Sequence, residues 1–294
     1  MRVTVEVDDH RLVRVEMCRG AGNPIDLATA RALLDAAREC EKARARAVLL
    51  TGRGPSFCVG GDLKEFAALP GERLAGHLAA VTDALHGALR TLAGLDAPLV
   101  AAVQGAVAGA GLGLASAADV CLAASDARFM AAYTAIGYTP DAGTSWTLPR
   151  LVGPRRALDL LLTNRRVPAR EALEMGLVSR VVEPERLYEE AVETAAVLAR
   201  GATGAYGVTR WLVGRASSVG LTEHLEAEAR HLSAAAVSAE GREGVAAFIE
   251  GRPAVFTRPD VARPDAARSD GTRSDGTRSD GTRATRVIVD SKPT

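Results

Sequence analysis

The sequence predicts an α/β protein. Residues 47–50 and 98–103 are short apolar segments with the length and composition of buried strands. A helical pattern over residues 27–43 precedes the first of them, and an Ala-rich helical pattern follows the second. Helices and strands that alternate in this way produce a largely parallel sheet with crossover helices. We therefore expect the chain to fold around such a sheet.

The composition is that of a globular chain without a dominant charge. Its 294 residues are 47% hydrophobic, which is enough for one large core. Lys plus Arg and Asp plus Glu both number 36, so no overall charge favours nucleic acid or an anionic membrane surface. We expect no nucleic-acid partner, and an anionic ligand would need a local cluster of positive charge.

The cysteines show no pattern of a metal or disulfide site. Cys18, Cys40, Cys58 and Cys121 have neither Cys-x-x-Cys nor Cys/His ligand spacing, and no dinucleotide-binding fingerprint occurs near the N-terminus. The first residues lack an apolar signal core, and no apolar run reaches membrane-spanning length. These patterns predict a cytoplasmic protein with no membrane association and no metal or redox cofactor.

The N-terminal elements follow from hydrophobic periodicity. Residues 2–7 and 11–17 alternate polar and apolar side chains around an Asp-Asp-His turn, which predicts a β-hairpin. A long amphipathic helix is expected over residues 75–92. His77 and His86 lie on one side of it, and we interpret them as solvent-facing or supporting rather than catalytic.

The second half of the chain is predicted to be mostly helical. Pro168 lies in the first turn of one of its helices, a position that proline favours. The expected elements, in chain order, are a strand-like segment at 135–138, a helix over 153–163, a helix from 167 to 175, a strand over 177–182 and helices through 185–250.

Two bends of small residues suggest a catalytic feature. Gly60 and Gly61 follow the strand at 47–50, and Gly109–Ala110–Gly111 follows the strand at 98–103. Such junctions leave backbone N–H groups uncovered, and these groups can donate to a carbonyl oxygen that gains charge. Taken alone, the Gly109–Ala110–Gly111 bend is more typical of close helix–sheet packing. Together they predict two N–H donors aimed at one oxygen.

Several motifs resemble the enoyl-CoA hydratase/isomerase (crotonase) superfamily. They are SFCVGGDLKEF, QGAVAGAGLGLASAADVCLA, ARFMAAYTAIGYTPDAGTSWTLPRLVG, RALDLLLTNRRVPAREALEMGLVSRVV and EGREGVAAFIEGRPAVF, in the family's order up to about residue 257. Within the superfamily, GAVAGAG and FMAAYTAIGYTPDAG are most similar to the phenylacetate-pathway epoxyphenylacetyl-CoA isomerases. The resemblance implies a spiral of ββα units over residues 1–195 and a C-terminal helical layer over 196–257. It also implies that this layer forms a homotrimer or a dimer of trimers.

The resemblance also implies an acyl-CoA substrate and an oxyanion hole. Coenzyme A would enter as part of the substrate, and no separate cofactor is expected. The hole would consist of the amides of Gly61 and Ala110. Since one such donor is worth about 3 kcal/mol of barrier, two would supply a large part of the rate.

The acid–base group differs from that of the family's hydratases. At the two positions where hydratases carry glutamates, this sequence has Gly113 and Tyr133. Isomerases of the superfamily place an aspartate at the position of Asp141. One carboxylate suffices for a 1,3-proton shift, and burial would raise its pKa towards neutrality. The alternative for Asp141 is a cap on the helix that begins near residue 142.

The resemblance therefore favours an acyl-CoA isomerase with Asp141 as the proton shuttle. Two alternatives stay open: an enoyl-CoA hydratase that uses Asp141 with a substitute acid, and a non-catalytic acyl-thioester-binding subunit. The acyl group, and whether CoA or an acyl carrier protein bears it, do not follow from the sequence.

Aromatic and apolar side chains are candidate walls of the acyl pocket, although they are equally typical of an ordinary core. The candidates are Phe66, Met130, Tyr133, Tyr138 and Trp146. An aromatic wall suits a ring better than a straight chain. By resemblance, Asp62, Leu63 and Lys64 lie near the adenine-binding loop.

The end of the chain differs from the rest. Residues 258–294 contain the repeat SDGTR three times in a tract of Asp, Arg, Pro, Gly and Thr. Such a composition buries too little apolar surface to offset its ordering entropy. We predict a disordered tail whose alternating charges largely cancel any affinity for polyanions.

Overall fold

The computed structural model describes residues 1–256 and 285–289 and confirms the predicted α/β class. Its larger sheet has seven strands. Their spatial order is β10 (Thr285–Val289), β1 (Val3–Val7), β2 (Leu12–Met17), β3 (Ala47–Gly52), β4 (Leu99–Val103), β6 (Val120–Ala124) and β9 (Arg180–Val182). β1 and β2 form the predicted antiparallel hairpin, and from β2 to β9 every pairing is parallel.

A second, three-stranded sheet continues from the first. It contains β5 (Ala106–Ala108), β7 (Arg128–Met130) and β8 (Val167–Pro168). β5 follows β4 after a turn at Gly105, whose φ is +55°. A Cβ at Gly105 would collide with the carbonyl oxygen of Pro55, so only glycine fits this turn. The turn brings the end of β4 against the loop that follows β3.

Helices cover both faces of the larger sheet. They are α1 (Leu27–Lys42), α2 (Leu63–Ala67), α3 (Gly71–Gly94), α4 (Ala110–Ser116), α5 (Thr144–Val152), α6 (Pro154–Thr163), α7 (Ala169–Glu174), α8 (Leu187–Arg200), α9 (Thr203–Arg215), α10 (Leu221–Ala236) and α11 (Ala239–Glu250). Alternate strand residues point to opposite faces. Val48 and Leu50 therefore join the core beside α1 and α3, while Leu49 packs with α8.

Two sequence-based expectations differ from the structure. The segment predicted as strand-like at 135–138 contains a 3-10 helix, Thr134–Ile136, which ends at Gly137 in the left-handed conformation. Small residues at this position allow the tight turn that a strand would not make. The tail predicted to be disordered contributes β10, which pairs antiparallel with β1. The rest of that prediction, over 258–284 and 290–294, lies outside the described residues.

The C-terminal part of the chain contains the predicted helices. Residues 196–256 are helical for most of their length, as α9, α10 and α11 show. Their predicted role in trimer formation stays a prediction. In the described part of the chain, no helix is both long and apolar enough to cross a membrane.

Candidate active site

The two bends predicted from the sequence lie against each other. A Cβ built on Gly109 would be 3.4 Å from the Cα of Gly60, and one built on Gly60 would be 3.1 Å from the carbonyl oxygen of Ala108. Both glycines have positive φ angles, +94° at Gly60 and +53° at Gly109. The Ala108 N–H donates to the carbonyl oxygen of Cys58 at 2.9 Å, which joins the bends as a short parallel bridge.

Two amides at this junction keep a free N–H group. The neighbouring amides are paired: the Asp62 N–H donates to the carbonyl oxygen of Ile25, and the Gly109 N–H donates to the carbonyl oxygen of Met130. Within the described residues, the N–H groups of Gly61 and Ala110 have no hydrogen-bond acceptor. Ala110 is the first residue of α4, where an amide has no partner inside its own helix. Both residues line the same cavity.

This acyl cavity, as we call it, has a volume of about 100 Å³ and mostly apolar walls. Its lining includes the two free amides and one carboxylate, that of Asp141. Among the residues that the structure describes, no other acidic or basic residue lines it. The apolar and aromatic lining comprises Ile25, Val59, Leu63, Phe66, Leu78, Val81, Leu85, Ile136, Tyr133 and Tyr138.

Asp141 is held by side-chain hydrogen bonds and does not cap a helix. The Tyr133 hydroxyl donates to Oδ1 of Asp141 at 2.7 Å and lies 3.1 Å from Oγ1 of Thr144. The N-cap of α5 is Gly143, and no side chain caps that helix. The capping alternative therefore does not describe this carboxylate.

The surroundings of Asp141 shift its protonation equilibrium. Burial raises the pKa of Asp141 above its ordinary value, and the hydrogen bond from Tyr133 together with the nearby His86 offsets part of this rise. Burial and then the charge of Asp141 raise the pKa of Tyr133. Tyr133 therefore stays protonated as a donor, and Asp141 has a weakened preference for its charged form.

His86 supports the loop that carries Asp141. Its Nε2 accepts the backbone N–H of Ala142 at 3.2 Å, so α3 holds the loop directly. Ala142 is fully buried and has a φ of +49°. The sequence analysis interpreted His86 as solvent-facing or supporting, but it did not predict the bond from Ala142. In the sequence, the one signal was that His86 lies nine residues from His77 on the same side of the predicted helix.

The position of the first hydratase glutamate has no room for a side chain. A Cβ on Gly113 would lie 2.6 Å from the Cβ of Ala142 and 2.8 Å from Oγ1 of Thr144. The loop of Asp141 fills this space. The second position holds Tyr133, whose hydroxyl is already bonded to Asp141.

Some predicted binding residues lie outside the acyl cavity. Asp62 caps α2 and pairs with Arg19 at 2.6 Å, and Lys64 is exposed. Met130 ends β7 without lining the cavity. Trp146 is 53% exposed on α5, where it stacks with Arg150 beside a different groove. Of the predicted aromatic wall, Phe66, Tyr133 and Tyr138 lie in place.

A thiol lies behind the two bends. Cys58 is fully buried, and burial raises its pKa to about 12. A Cβ on Gly111 would collide with the carbonyl oxygen of Cys58, so the α4 backbone touches this segment directly. Among the described residues, no cluster of His, Cys, Asp or Glu has the arrangement of a metal site.

Two free amides and one partly buried carboxylate line the same cavity, an arrangement that can polarise a carbonyl group and exchange a proton beside it. Residues 9–259 match the family model for enoyl-CoA hydratase/isomerase. The chain belongs to this family, the crotonase superfamily.

Individual relatives agree with this assignment. A protein of Rhodobacter capsulatus named probable enoyl-CoA hydratase is 42% identical over 76% of this chain and 86% of its own. The 1,2-epoxyphenylacetyl-CoA isomerase of Escherichia coli is 36% identical over 72% of this chain and 81% of its own. The crystal structure of an enoyl-CoA hydratase from Bacillus anthracis superposes with a TM-score of 0.81 at 30% identity, covering 88% of this chain and 100% of that one. The predicted crotonase-like fold is thereby confirmed.

Proposed function

We propose that the protein is an acyl-CoA isomerase in which one carboxylate moves the proton. The observation that carries the proposal is the joint placement of Asp141 and the free amides of Gly61 and Ala110 around one apolar cavity. The family supports activity on an enoyl-CoA thioester or a related substrate. The isomerase of Escherichia coli is one of the relatives that favours the narrower reaction.

The proposed reaction begins at the thioester carbonyl. Its oxygen lies between the amides of Gly61 and Ala110, which stabilise the enolate charge and acidify the neighbouring carbon. The carboxylate of Asp141 removes a proton from the α-carbon, and the electron pair moves onto the carbonyl oxygen. The protonated acid then returns the proton to the γ-carbon as the double bond shifts. No proton is gained or lost overall.

The geometry favours isomerisation over hydration. Hydration needs groups that hold and activate a water molecule, and family hydratases use two glutamates for this purpose. Gly113 leaves no space for such a side chain, and Tyr133 occupies the other position with its hydroxyl bonded to Asp141. The substrates we propose are 3-enoyl thioesters and ring-epoxidised phenylacetyl-CoA. The aromatic lining of Phe66 and Tyr138 suits a ring.

Parallel assays on three thioesters test the proposal. We expect turnover of a 3-enoyl-CoA or of epoxyphenylacetyl-CoA, and hydration of crotonyl-CoA that is at least about a hundredfold slower. Asp141→Asn should lower the isomerisation rate by about 10²- to 10⁴-fold, since it removes the acid–base group. Asp126→Asn, at an exposed aspartate outside the cavity, is the matched control.

Three results would contradict the proposal. Fast hydration of crotonyl-CoA would favour the hydratase, which is the name given to the relative from Rhodobacter capsulatus. Unchanged turnover in Asp141→Asn would exclude the mechanism. Binding of acyl-CoA without turnover of any of the three thioesters would favour a non-catalytic role.

A further inference from the structure

A second cavity lies away from the acyl cavity and has a cationic lining. Its volume is about 420 Å³, and it shares no lining residue with the acyl cavity. We call it the arginine pocket, after Arg11, Arg46 and Arg200. The rest of its lining consists of Asp9, His10, Ala199, Ala254, Val255 and Phe256.

Arg46 is the buried member of this group. Only 6% of the surface of Arg46 is exposed to solvent. Its Nε donates to the carbonyl oxygen of Ala199 at 2.6 Å, and its Nη2 donates to that of Gly201 at 2.7 Å. These bonds satisfy the C-terminal end of α8. Within the described residues, the remaining nitrogen, Nη1, is buried and has no hydrogen-bond partner.

An unpaired buried guanidinium nitrogen is costly, so it points to an acceptor. Glu240 is the acidic residue that acts on the charge of Arg46. One of its carboxylate oxygens accepts the N–H of Gly204 at 3.0 Å, and Glu240 does not line the pocket. Glu240 is therefore engaged outside the pocket, and an anion bound inside it would add an acceptor beside the Arg46 guanidinium.

The other charges of the pocket fit a doubly charged anion. Arg11 follows the turn before β2, and its carbonyl oxygen accepts the N–H of Arg46 at 3.0 Å, so the two arginines are adjacent. Arg200 ends α8. In the described part of the chain, neither Arg11 nor Arg200 forms an ion pair with an acidic side chain. The formal charges of the three guanidinium groups and of the Asp9 carboxylate sum to two positive charges.

We propose that the arginine pocket binds a phosphate-type dianion between the guanidinium groups of Arg11, Arg46 and Arg200 that line it. Planar guanidinium groups suit phosphate oxygens because they donate two parallel hydrogen bonds. Val255 and Phe256 supply an apolar side against which the body of a phosphate ester packs. The site is independent of the acyl-CoA chemistry proposed above.

The test is calorimetric titration of the full-length protein with inorganic phosphate, in a buffer free of phosphate and sulfate. We expect one site per chain. Arg200→Gln and Arg11→Asn should each weaken binding about tenfold, since each removes a charged donor. Arg90→Gln, at an exposed arginine of α3 that lines neither cavity, should bind phosphate as the parent does.

Arg46 supplies a second measurement. Arg46→Lys should abolish the site, but Arg46 also holds the end of α8, so thermal unfolding must show that this variant is folded. The Arg200 and Arg11 variants leave those bonds intact. A second titration, with adenosine monophosphate, distinguishes two sources of the anion. If adenosine monophosphate binds more tightly than inorganic phosphate, the pocket is a site for a phosphate ester. If the two bind equally, it is a site for the free ion. An absence of phosphate binding, or equal affinity in the parent and all arginine variants, would overturn the proposal.

Discussion

The two walls of the acyl cavity are built in different ways. One wall is backbone, where the bend at Gly60 and Gly61 meets the bend at Gly109 and Ala110. The other wall is a network of side chains in which Tyr133 holds Asp141. The backbone wall is fixed by close contacts that exclude any added atom. The side-chain wall is fixed by hydrogen bonds whose strength changes with protonation.

This difference separates what each wall contributes. Backbone donors present the same charge at every pH and need no particular side chain. In the proposed mechanism the partly buried carboxylate of Asp141, by contrast, exchanges protons, and its neighbours shift the pKa that governs this exchange. Damage to the backbone wall should therefore appear first in stability. Damage to the side-chain wall should appear first in rate and in pH dependence.

The largest effect should come from the backbone wall. Gly111→Ala places a Cβ against the carbonyl oxygen and the side chain of Cys58, neither of which has room to move. We expect a loss of about 3 kcal/mol or more of unfolding free energy, measured by urea denaturation, with activity lost in parallel. Gly76→Ala is the control. Gly76 is an exposed residue of α3 with no atom near its built Cβ, so this change should stabilise the helix by about 0.5–1 kcal/mol. Normal stability in Gly111→Ala would show that the bends separate easily.

The next effect concerns the support of the side-chain wall. His86→Leu removes the acceptor of the buried Ala142 N–H. A loop displaced by about 1 Å typically costs about a hundredfold in rate, so kcat should fall by about 10- to 100-fold with a smaller change in KM. His86→Gln offers an oxygen in place of Nε2 and should recover most of kcat. Equal losses in both variants would contradict a positioning role through this bond.

A smaller effect should appear in the pH profile of Tyr133→Phe. The hydroxyl bond favours charged Asp141, so its removal raises the pKa of Asp141 further. In the proposed mechanism the charged carboxylate is the base, so the acidic limb of kcat/KM should move up by about one pH unit. Tyr138→Phe, at a cavity residue with no bond to Asp141, should leave the limb in place. If the acidic limb moved to lower pH in Tyr133→Phe, the Tyr133 hydroxyl would raise the pKa of Asp141 and not lower it, which contradicts the prediction.

The smallest effect is on stability at neutral pH. Because the pKa of Asp141 is raised in the folded protein, the folded state binds this proton more tightly than the unfolded state does. The charged form thus lowers stability above both pKa values. Asp141→Asn should raise Tm on the order of 2 °C at pH 7, and the gain should shrink as the pH falls towards the ordinary aspartate value. A lower Tm at neutral pH would show that the carboxylate stabilises the fold.

Much of the fold was predictable because it follows local periodicity. The hairpin of β1 and β2, the helix α1 and the strand β4 all lie within a few residues of their expected bounds. Features that depend on contacts between distant parts of the chain were harder to predict from the sequence. The strand β10 is a short β-branched segment next to a polar repeat, and composition alone gave no sign of its pairing with β1.

For the candidate site, motif order predicted which residues meet but not how they are held. The closeness of Gly60 and Gly109 followed from two strand-to-helix bends. The bond from Ala142 to His86 joins a loop to a helix 56 residues away in sequence, and no local pattern records it. Trp146 shows the opposite failure, since an aromatic residue near the motif is directed to the surface.

The buried thiols offer a direct view of how the molecule opens. Cys40, Cys58 and Cys121 are buried, and burial raises the pKa of each to about 12, so alkylating reagents have almost no thiolate to attack in the closed state. Modification of Cys58 would then proceed only during brief excursions in which the two bends come apart. The rate of labelling at that sulfur would measure how often the proposed oxyanion hole opens, without any substrate present.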